Sequence, residues 1–167
     1  MKILSLECVD STQTYVLEGL KSGRLHAPVA VVASEQTRGR GSRDNHWISL
    51  KGNLFFSFAV ARDTLPDDLK LESSSIYFSM LLKEVLLAQG SHVWLKWPND
   101  FYLEEQKIGG TITTLHNDIV ICGIGLNMAA APQKSKTLDV SIKKSDILTP
   151  YFTLLKSSPS WKQIFSK

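Results

Sequence analysis

Residues 35–47, EQTRGRGSRDNHW, set Arg38, Arg40 and Arg43 among Gly39 and Gly41 and close on Trp47. Arginine presents a planar fork of donors that meets phosphate or carboxylate in charge-assisted hydrogen bonds. Glycine between the arginines lets the backbone bend closely around whatever they hold. Such a loop suits either a nucleic-acid backbone or the phosphate of a small ligand. Further along, KWPND at 96–100 is followed, seven residues after Asp100, by Lys107 and then by Gly109 and Gly110. A lysine there could place positive charge where negative charge builds up in a reaction. The bare glycines allow a ligand to approach the main chain.

The charge balance favours the small ligand. The chain has 167 residues, 19 of them basic and 16 acidic, for a net charge of +3. Arg38, Arg40 and Arg43 equal that whole excess, whereas a nucleic-acid-binding domain spreads its basic residues over a face or along a helix. The length suits one compact domain that buries about 70% of its unfolded surface. Hydrophobic content of 43% and charged content of 21% are ordinary for a soluble globular chain. No apolar run is long enough to cross a bilayer, and the N-terminus lacks the features of a signal peptide. The expected location is the cytoplasm, with no membrane partner. Cys8 and Cys122 lie in apolar, strand-like runs and read as buried free thiols. His26, His46, His92 and His116 are scattered without metal spacing, so no metal site built from side chains alone is expected.

The elements that must position these groups read as an α+β domain. KILSLEC at 2–8 is strand-like, and Asp10, Ser11 and Thr12 open a helix running to about residue 21. APVAVVASEQ at 27–36 is a β-branched strand that leads straight into the arginine loop, and NLFFSFAVA at 53–61 reads as a strand buried on both faces. Over 69–89 the spacing turns helical, with Ile76, Met80, Leu81, Val85 and Leu86 in one stripe, and Gly90 ends it. HVWLKW, DFYLEE, KIGGTITTLH and DIVICGIGLNM then read as strands with tight turns at EEQ and HND. Two short helices are expected to open at Thr149-Pro150 and Ser158-Pro159, with proline at the first helical position. The expected architecture is a mixed, largely antiparallel sheet backed by helices. A core is expected over 1–130, and a polar linker with short helices over 131–167.

DST at 10–12, QTRGRGSR at 36–43 with Trp47, KWPND, KIGG and GIGLN at 123–127 occur in this order. Together they resemble the motif series of the biotin protein ligases, in their central catalytic domain, over roughly residues 1–130. The resemblance implies the fold shared by biotin and lipoate ligases. It also implies an enzyme that adenylates a carboxylate with ATP and passes the acyl group to a protein lysine. The substrates would be biotin and ATP, with Mg2+ carried mainly by the phosphates. The partner would be the biotin carrier domain of a biotin-dependent carboxylase, and a homodimer is compatible.

Residue by residue, the resemblance makes Lys107 the catalytic lysine and sets Arg40 against ligand phosphate or carboxylate. Around biotin it places Ser11, Thr12, Gln36, Gly39, Arg40, Lys107 and Gly110. Around the nucleotide it places Arg40, Arg43, Trp47, Lys96, Asn99 and Asn127, with Trp47 against adenine and Asn127 on its amino edge. Hydroxyls and an amide suit the neutral ureido ring, which offers donors and an acceptor, although Ser11 and Thr12 would equally cap a helix. Asp100 joins the catalytic set on chemical grounds. An acceptor amine with a free pKa of about 10.4 is almost wholly protonated at neutral pH, and a carboxylate can orient it and take its proton as it attacks.

Several positions depart from the family pattern. Ser42, Asp44 and Asn45 stand where arginine, glycine and arginine are usual, so the activated intermediate is expected to leak faster than from a typical member. Gln13 replaces an asparagine. Residues 131–167 lack the strand pattern of the small β-barrel that usually follows, and no helix-turn-helix precedes the core, so no DNA partner is expected. The arginine loop is expected to be mobile when empty, since fixing each residue costs roughly 1–2 kcal/mol against about 1.5–3 kcal/mol per charged hydrogen bond. Two other readings stay open. One is a lipoate or octanoyl ligase or transferase, and the other a non-catalytic module that binds biotin or nucleic acid.

Overall fold

The computed structural model describes residues 1–166, with the backbone alone for Asp44. Its strands are β1 (Lys2–Val9), β2 (Val29–Gln36), β3 (Leu54–Ala61), β4 (Trp94–Lys96), β5 (Asp100–Leu103), β6 (Gln106–His116) and β7 (Ile119–Leu126). They form one sheet in the order β1-β2-β3-β7-β6-β5-β4. β1 and β2 are parallel and every other neighbouring pair is antiparallel, which is the mixed, largely antiparallel sheet the sequence predicts. Asn117 and Glu104, with φ of 52° and 51°, make the turns between β6 and β7 and between β5 and β6.

Each strand sends alternate side chains to opposite faces, and the two faces are covered unequally. Helix α1 (Thr12–Lys21) covers one, packing Val16 against Val29, Val31, Ala59 and Ile121. Helices α2 (Ser74–Ala88), α3 (Lys144–Ser157) and α4 (Trp161–Phe165) cover the other around Phe56, Phe58, Phe78, Leu81 and Tyr151. Phe58 meets Phe78 and Tyr151 edge to face, at centroid distances of 5.1 and 5.8 Å. Each such fully buried side chain contributes about 1.5–3 kcal/mol, so this larger cluster dominates the fold's stability. Leu138, Ile147, Tyr151, Leu155 and Ile164 belong to the same cluster, which ties the C-terminal residues into it.

Several local expectations need correction. Cys8 is exposed, because β1 is an edge strand and α1 packs over β2, β3 and β7 instead. Cys122 is buried, and that burial pushes its thiol well above the ordinary range. Helix α2 starts at Ser74, behind a short turn of 3-10 helix at Leu71–Ser73. Its apolar stripe is buried as expected, but Tyr77, Phe78, Ser79 and Leu82 are buried as well, since the helix lies between the sheet and α3. Thr149-Pro150 does not open a helix: α3 begins at Lys144 and carries Pro150 inside it. Proline cannot donate to the Asp146 carbonyl, and Gln89 Nε2 donates to that oxygen instead, at 3.4 Å. Helix α4 follows Ser160, not Ser158. The Ser160 hydroxyl accepts from Gln163 N at 3.2 Å while Ser160 N donates to Gln163 Oε1 at 2.9 Å, a reciprocal cap.

Candidate functional site

On the α1 face, register brings small residues side by side. Ser57 pairs with Gly123 and Gly123 with Ile112; in the next row Gly125 pairs with Gly110, and Gly110 with Asp100. Without side chains at Gly110, Gly123 and Gly125 the sheet surface sinks into a narrow hollow at the start of α1. Ser11, Thr12 and Gln36 line one side of it and Arg40, Trp47 and Lys107 another.

A bulge aims the lysine. Phe101 pairs with Gly109 but Tyr102 pairs with Lys107, leaving Ile108 as an extra residue on β6. In a regular strand Lys107 would share the face of Gly109, whose missing side chain would point at Leu126 and Phe101 in the main core. The extra residue turns Lys107 to the face of Gly110. Its Nζ reaches Asp100 Oδ1 at 2.8 Å, with the two side chains 33% and 26% exposed. A Cβ at Gly110 would come within 3.0 Å of Asp100 Oδ1 and 3.6 Å of Lys107 Nζ, so the glycine keeps room for this pair.

At the far side the polar groups form a chain. Gln36 Oε1 accepts from Thr12 N at 2.8 Å and from Thr12 Oγ1 at 3.1 Å, and Gln36 Nε2 donates to Ser49 Oγ at 3.0 Å. Thr12 Oγ1 also contacts Ser57 Oγ at 2.8 Å. Ser11 caps α1, its hydroxyl accepting from Thr14 N at 3.4 Å, so it holds the helix and borders the hollow at once.

The arginine loop crosses above. It folds back on itself through Trp47 N to Gly39 O, at 2.8 Å, and Gly41 N to Asn45 O, at 2.7 Å. A Cβ at Gly39 would stand 2.6 Å from the Trp47 carbonyl oxygen, so only glycine allows this crossing. Trp47 lies over Gly125, and its buried Nε1 has no hydrogen-bond partner. Trp47 and Lys107 also line a second hollow, together with Ile48, Asn127, Pro132 and Ser135. Both residues therefore stand at the junction of two compartments.

Of the loop's arginines, only Arg40 borders the main hollow. Arg38 pairs with Asp10 at 2.9 Å on the surface, and Arg43 lines a groove beyond the loop with Pro98 and Thr114. Lys96 is not brought to either hollow; its Nζ lies 5.1 Å from the Tyr102 ring centre. Asn99 borders the main hollow but is tied down, its Nδ2 donating to Thr111 O at 2.7 Å. Asn127 is held by Asn53 Nδ2 at 3.4 Å and donates to Lys136 O at 3.3 Å. Ser42 borders the hollow where an arginine was expected, and the side chain of Asp44 lies outside the described residues.

Three contributors escape sequence reasoning. Asn53 is fully buried and its Oδ1 accepts from the amides of Met128, Ala129 and Ala130, at 2.9, 2.9 and 3.1 Å, which fixes the turn after Asn127. Ser57 and Gln13 lie buried on the floor of the main hollow. An asparagine just before an apolar strand and a serine inside it were the visible signals.

Comparison with known proteins identifies the family and the fold. A family model described as the biotin/lipoate A/B protein ligase family matches residues 5–127. The bifunctional ligase/repressor BirA of Escherichia coli (strain K12) is 33% identical over 131 residues, covering 74% of this chain and 40% of BirA. The chain thus spans about 40% of the length of that curated relative. Biotin acetyl coenzyme A carboxylase synthetase from Helicobacter pylori, solved with bound biotinylated ATP, is 38% identical with a TM-score of 0.93, covering 99% of this chain and 78% of that one. Biotin protein ligase from Leishmania major, in complex with biotinyl-5-AMP, is 26% identical with a TM-score of 0.85, covering 99% and 78%.

Proposed function

The chain belongs to the biotin/lipoate A/B protein ligase family, and on that premise we propose that it activates biotin as biotinyl-5′-AMP and transfers the biotinyl group to a lysine of a carboxylase's biotin carrier domain. One observation carries the reading: Lys107 and Trp47 stand between a hollow edged by Ser11, Thr12 and Gln36 and a second one edged by Asn127. Biotin fills the first and adenine the second, so the acyl–phosphate junction falls beside Lys107. The biotinylated ATP bound by the Helicobacter pylori protein and the biotinyl-5-AMP bound by the Leishmania major protein support the ligase reading.

In the first step a carboxylate oxygen of biotin attacks the α-phosphorus of ATP, and the bond to the bridging oxygen breaks to release pyrophosphate. Lys107 and Arg40 offset the negative charge gathering there, an effect worth about 2.7–4 kcal/mol for a single well-placed donor. In the second step the acceptor amine attacks the acyl carbon, the bond to AMP oxygen breaks, and the amine loses a proton. Asp100 holds Lys107 at 2.8 Å before the substrates arrive. Once Lys107 turns to the adenylate, the carboxylate is released to orient the amine and take that proton. Mg2+ would accompany ATP and supply positive charge to the leaving pyrophosphate.

The transferase reading would need a reactive cysteine beside Lys107. Cys122 lies fully buried in β7 with its thiol pushed toward the neutral form, and Cys8 sits on edge strand β1. We assign the protein to the cytoplasm; among the described residues no helix is long and apolar enough to cross a membrane. The test is transfer of labelled biotin to a purified carrier domain in the presence of ATP and Mg2+. Label on the acceptor lysine is the expected result, and absence of both labelled acceptor and biotinyl-AMP would overturn the reading.

A further inference from the structure

The floor of the main hollow carries a buried acceptor that no protein group satisfies. Gln13, in the first turn of α1, is 4% exposed, and its Oε1 has no hydrogen-bond partner. Its Nε2 donates to the Ile121 carbonyl at 3.3 Å and to Thr114 Oγ1 at 3.4 Å. A carbonyl oxygen only accepts, so the amide cannot be turned over. Nε2 faces β7, and Oε1 is left facing the hollow.

The neighbouring hydroxyl has the same polarity. Thr12 Oγ1 gives its single proton to Gln36 Oε1 at 3.1 Å, again an atom that only accepts. The 2.8 Å contact between Thr12 Oγ1 and Ser57 Oγ is therefore made with the proton of Ser57. Ser57 Oγ turns only lone pairs to the hollow. A Cβ at Gly123 would stand 2.6 Å from Gln13 Oε1 and 3.0 Å from Ser57 Oγ, so the two oxygens flank one spot on the floor. Burying an acceptor without a donor is unfavourable, and the missing donor belongs to the ligand.

We infer that Gln13 Oε1, with Ser57 Oγ beside it, reads an N–H donor on the buried ring of the substrate and so sets ligand choice. A cyclic urea satisfies the pair. A sulfur heterocycle or an alkyl chain, which brings no donor, leaves Gln13 Oε1 unpaired. The inference rests on the ligase reading above and refines it by naming what selects the acid.

The test is calorimetric titration of the full chain, without ATP, with biotin and with two lactam isosteres, each having one ureido N–H replaced by CH2. Wild-type protein should bind at least one isostere roughly 10- to 100-fold more weakly than biotin. Gln13→Met keeps the chain length and removes the amide; it should weaken biotin by a similar factor and no longer distinguish that isostere from biotin. A role for Gln13 in helix packing alone would leave the discrimination intact. Thermal unfolding checks the variant, which also strips a donor from the Ile121 carbonyl, and the wild-type comparison of isosteres stands without it. Equal wild-type affinity for biotin and both isosteres, or discrimination preserved in Gln13→Met, overturns the inference alone. Failure of wild-type protein to bind biotin overturns the ligase reading and this inference with it.

Discussion

One methyl group added at Gly125 should disable adenylate formation while leaving the fold in place. Gly125 lies under the indole of Trp47, and a Cβ there would stand 2.6 Å from Cε2, 2.8 Å from Nε1 and 2.9 Å from Cζ2. Non-bonded carbons meet at about 3.5–4.0 Å, so the ring must rise by roughly an ångström. Its backbone cannot follow, because Trp47 N donates to Gly39 O at 2.8 Å. The ring therefore tilts into the junction, where Lys107 Nζ lies 5.7 Å from the ring centre. A misplacement of about 1 Å near reacting atoms lowers rates about 100-fold, whereas overpacking costs only about 1–3 kcal/mol of stability. Biotin-dependent exchange of labelled pyrophosphate into ATP measures the first quantity, and a urea melt the second. In a Trp47→Phe background the clashing indole atoms are gone, so Gly125→Ala should cost much less there. A folded Gly125→Ala protein with exchange within about twofold of wild type, or an equal loss in both backgrounds, would refute the reasoning.

Trypsin should cut after Arg38, Arg40 and Arg43 in the free protein and about tenfold more slowly once biotin and ATP are bound, because contacts to the ligand repay the ordering cost of about 1–2 kcal/mol per residue; equal rates would contradict a closing loop. Asp139 supplies a pH test. Burial by itself would raise its pKa, but hydrogen bonds from the Ser91 hydroxyl, the His92 amide and the His92 ring prevail and bring it down to about 2 from 3.8. A lowered carboxylate pKa stabilises fully above the unfolded value and is lost as pH falls through the folded one. The stability gap between wild type and Asp139→Asn should therefore shrink from about pH 4 to about pH 2, and a gap that widens on acidification would be the wrong sign. Pro150 is exposed inside α3. Pro150→Ala should raise stability by about 1–2 kcal/mol after the greater freedom of the unfolded chain is subtracted, and a lower urea midpoint would contradict this.

Elements whose burial shows in their own residues were legible in the sequence. The run Leu54–Ala61 is apolar because both faces of β3 are covered, and the stripe from Ile76 to Leu86 marks α2. What needed coordinates depends on partners distant in the chain. The stop at Thr149-Pro150 is reasonable locally, yet Gln89 relieves the orphaned carbonyl and the helix runs on. Cys8 reads as buried because its neighbours are apolar, while the choice of an edge position is made by strand order. In the site, strand alternation alone would send Lys107 into the core; the extra residue at Ile108 reverses that. The glycines at 123 and 125 show in the sequence as part of the GIGLN motif, but only register sets them beside Ser57 and Gly110. The roles of Gln13 and Asn53 depend on the fold, since their partners lie more than 70 positions away.

The central claim is that Lys107, turned by the bulge, stands where carboxylate and phosphate meet. Pyrophosphate exchange into ATP reports that half-reaction without any acceptor protein, and comparing wild type with Lys107→Ala addresses the claim most directly. Exchange should depend on biotin and fall by about 100-fold or more in Lys107→Ala, with biotin binding kept within about tenfold. Exchange that proceeds without biotin, or that survives unchanged in Lys107→Ala, would contradict it.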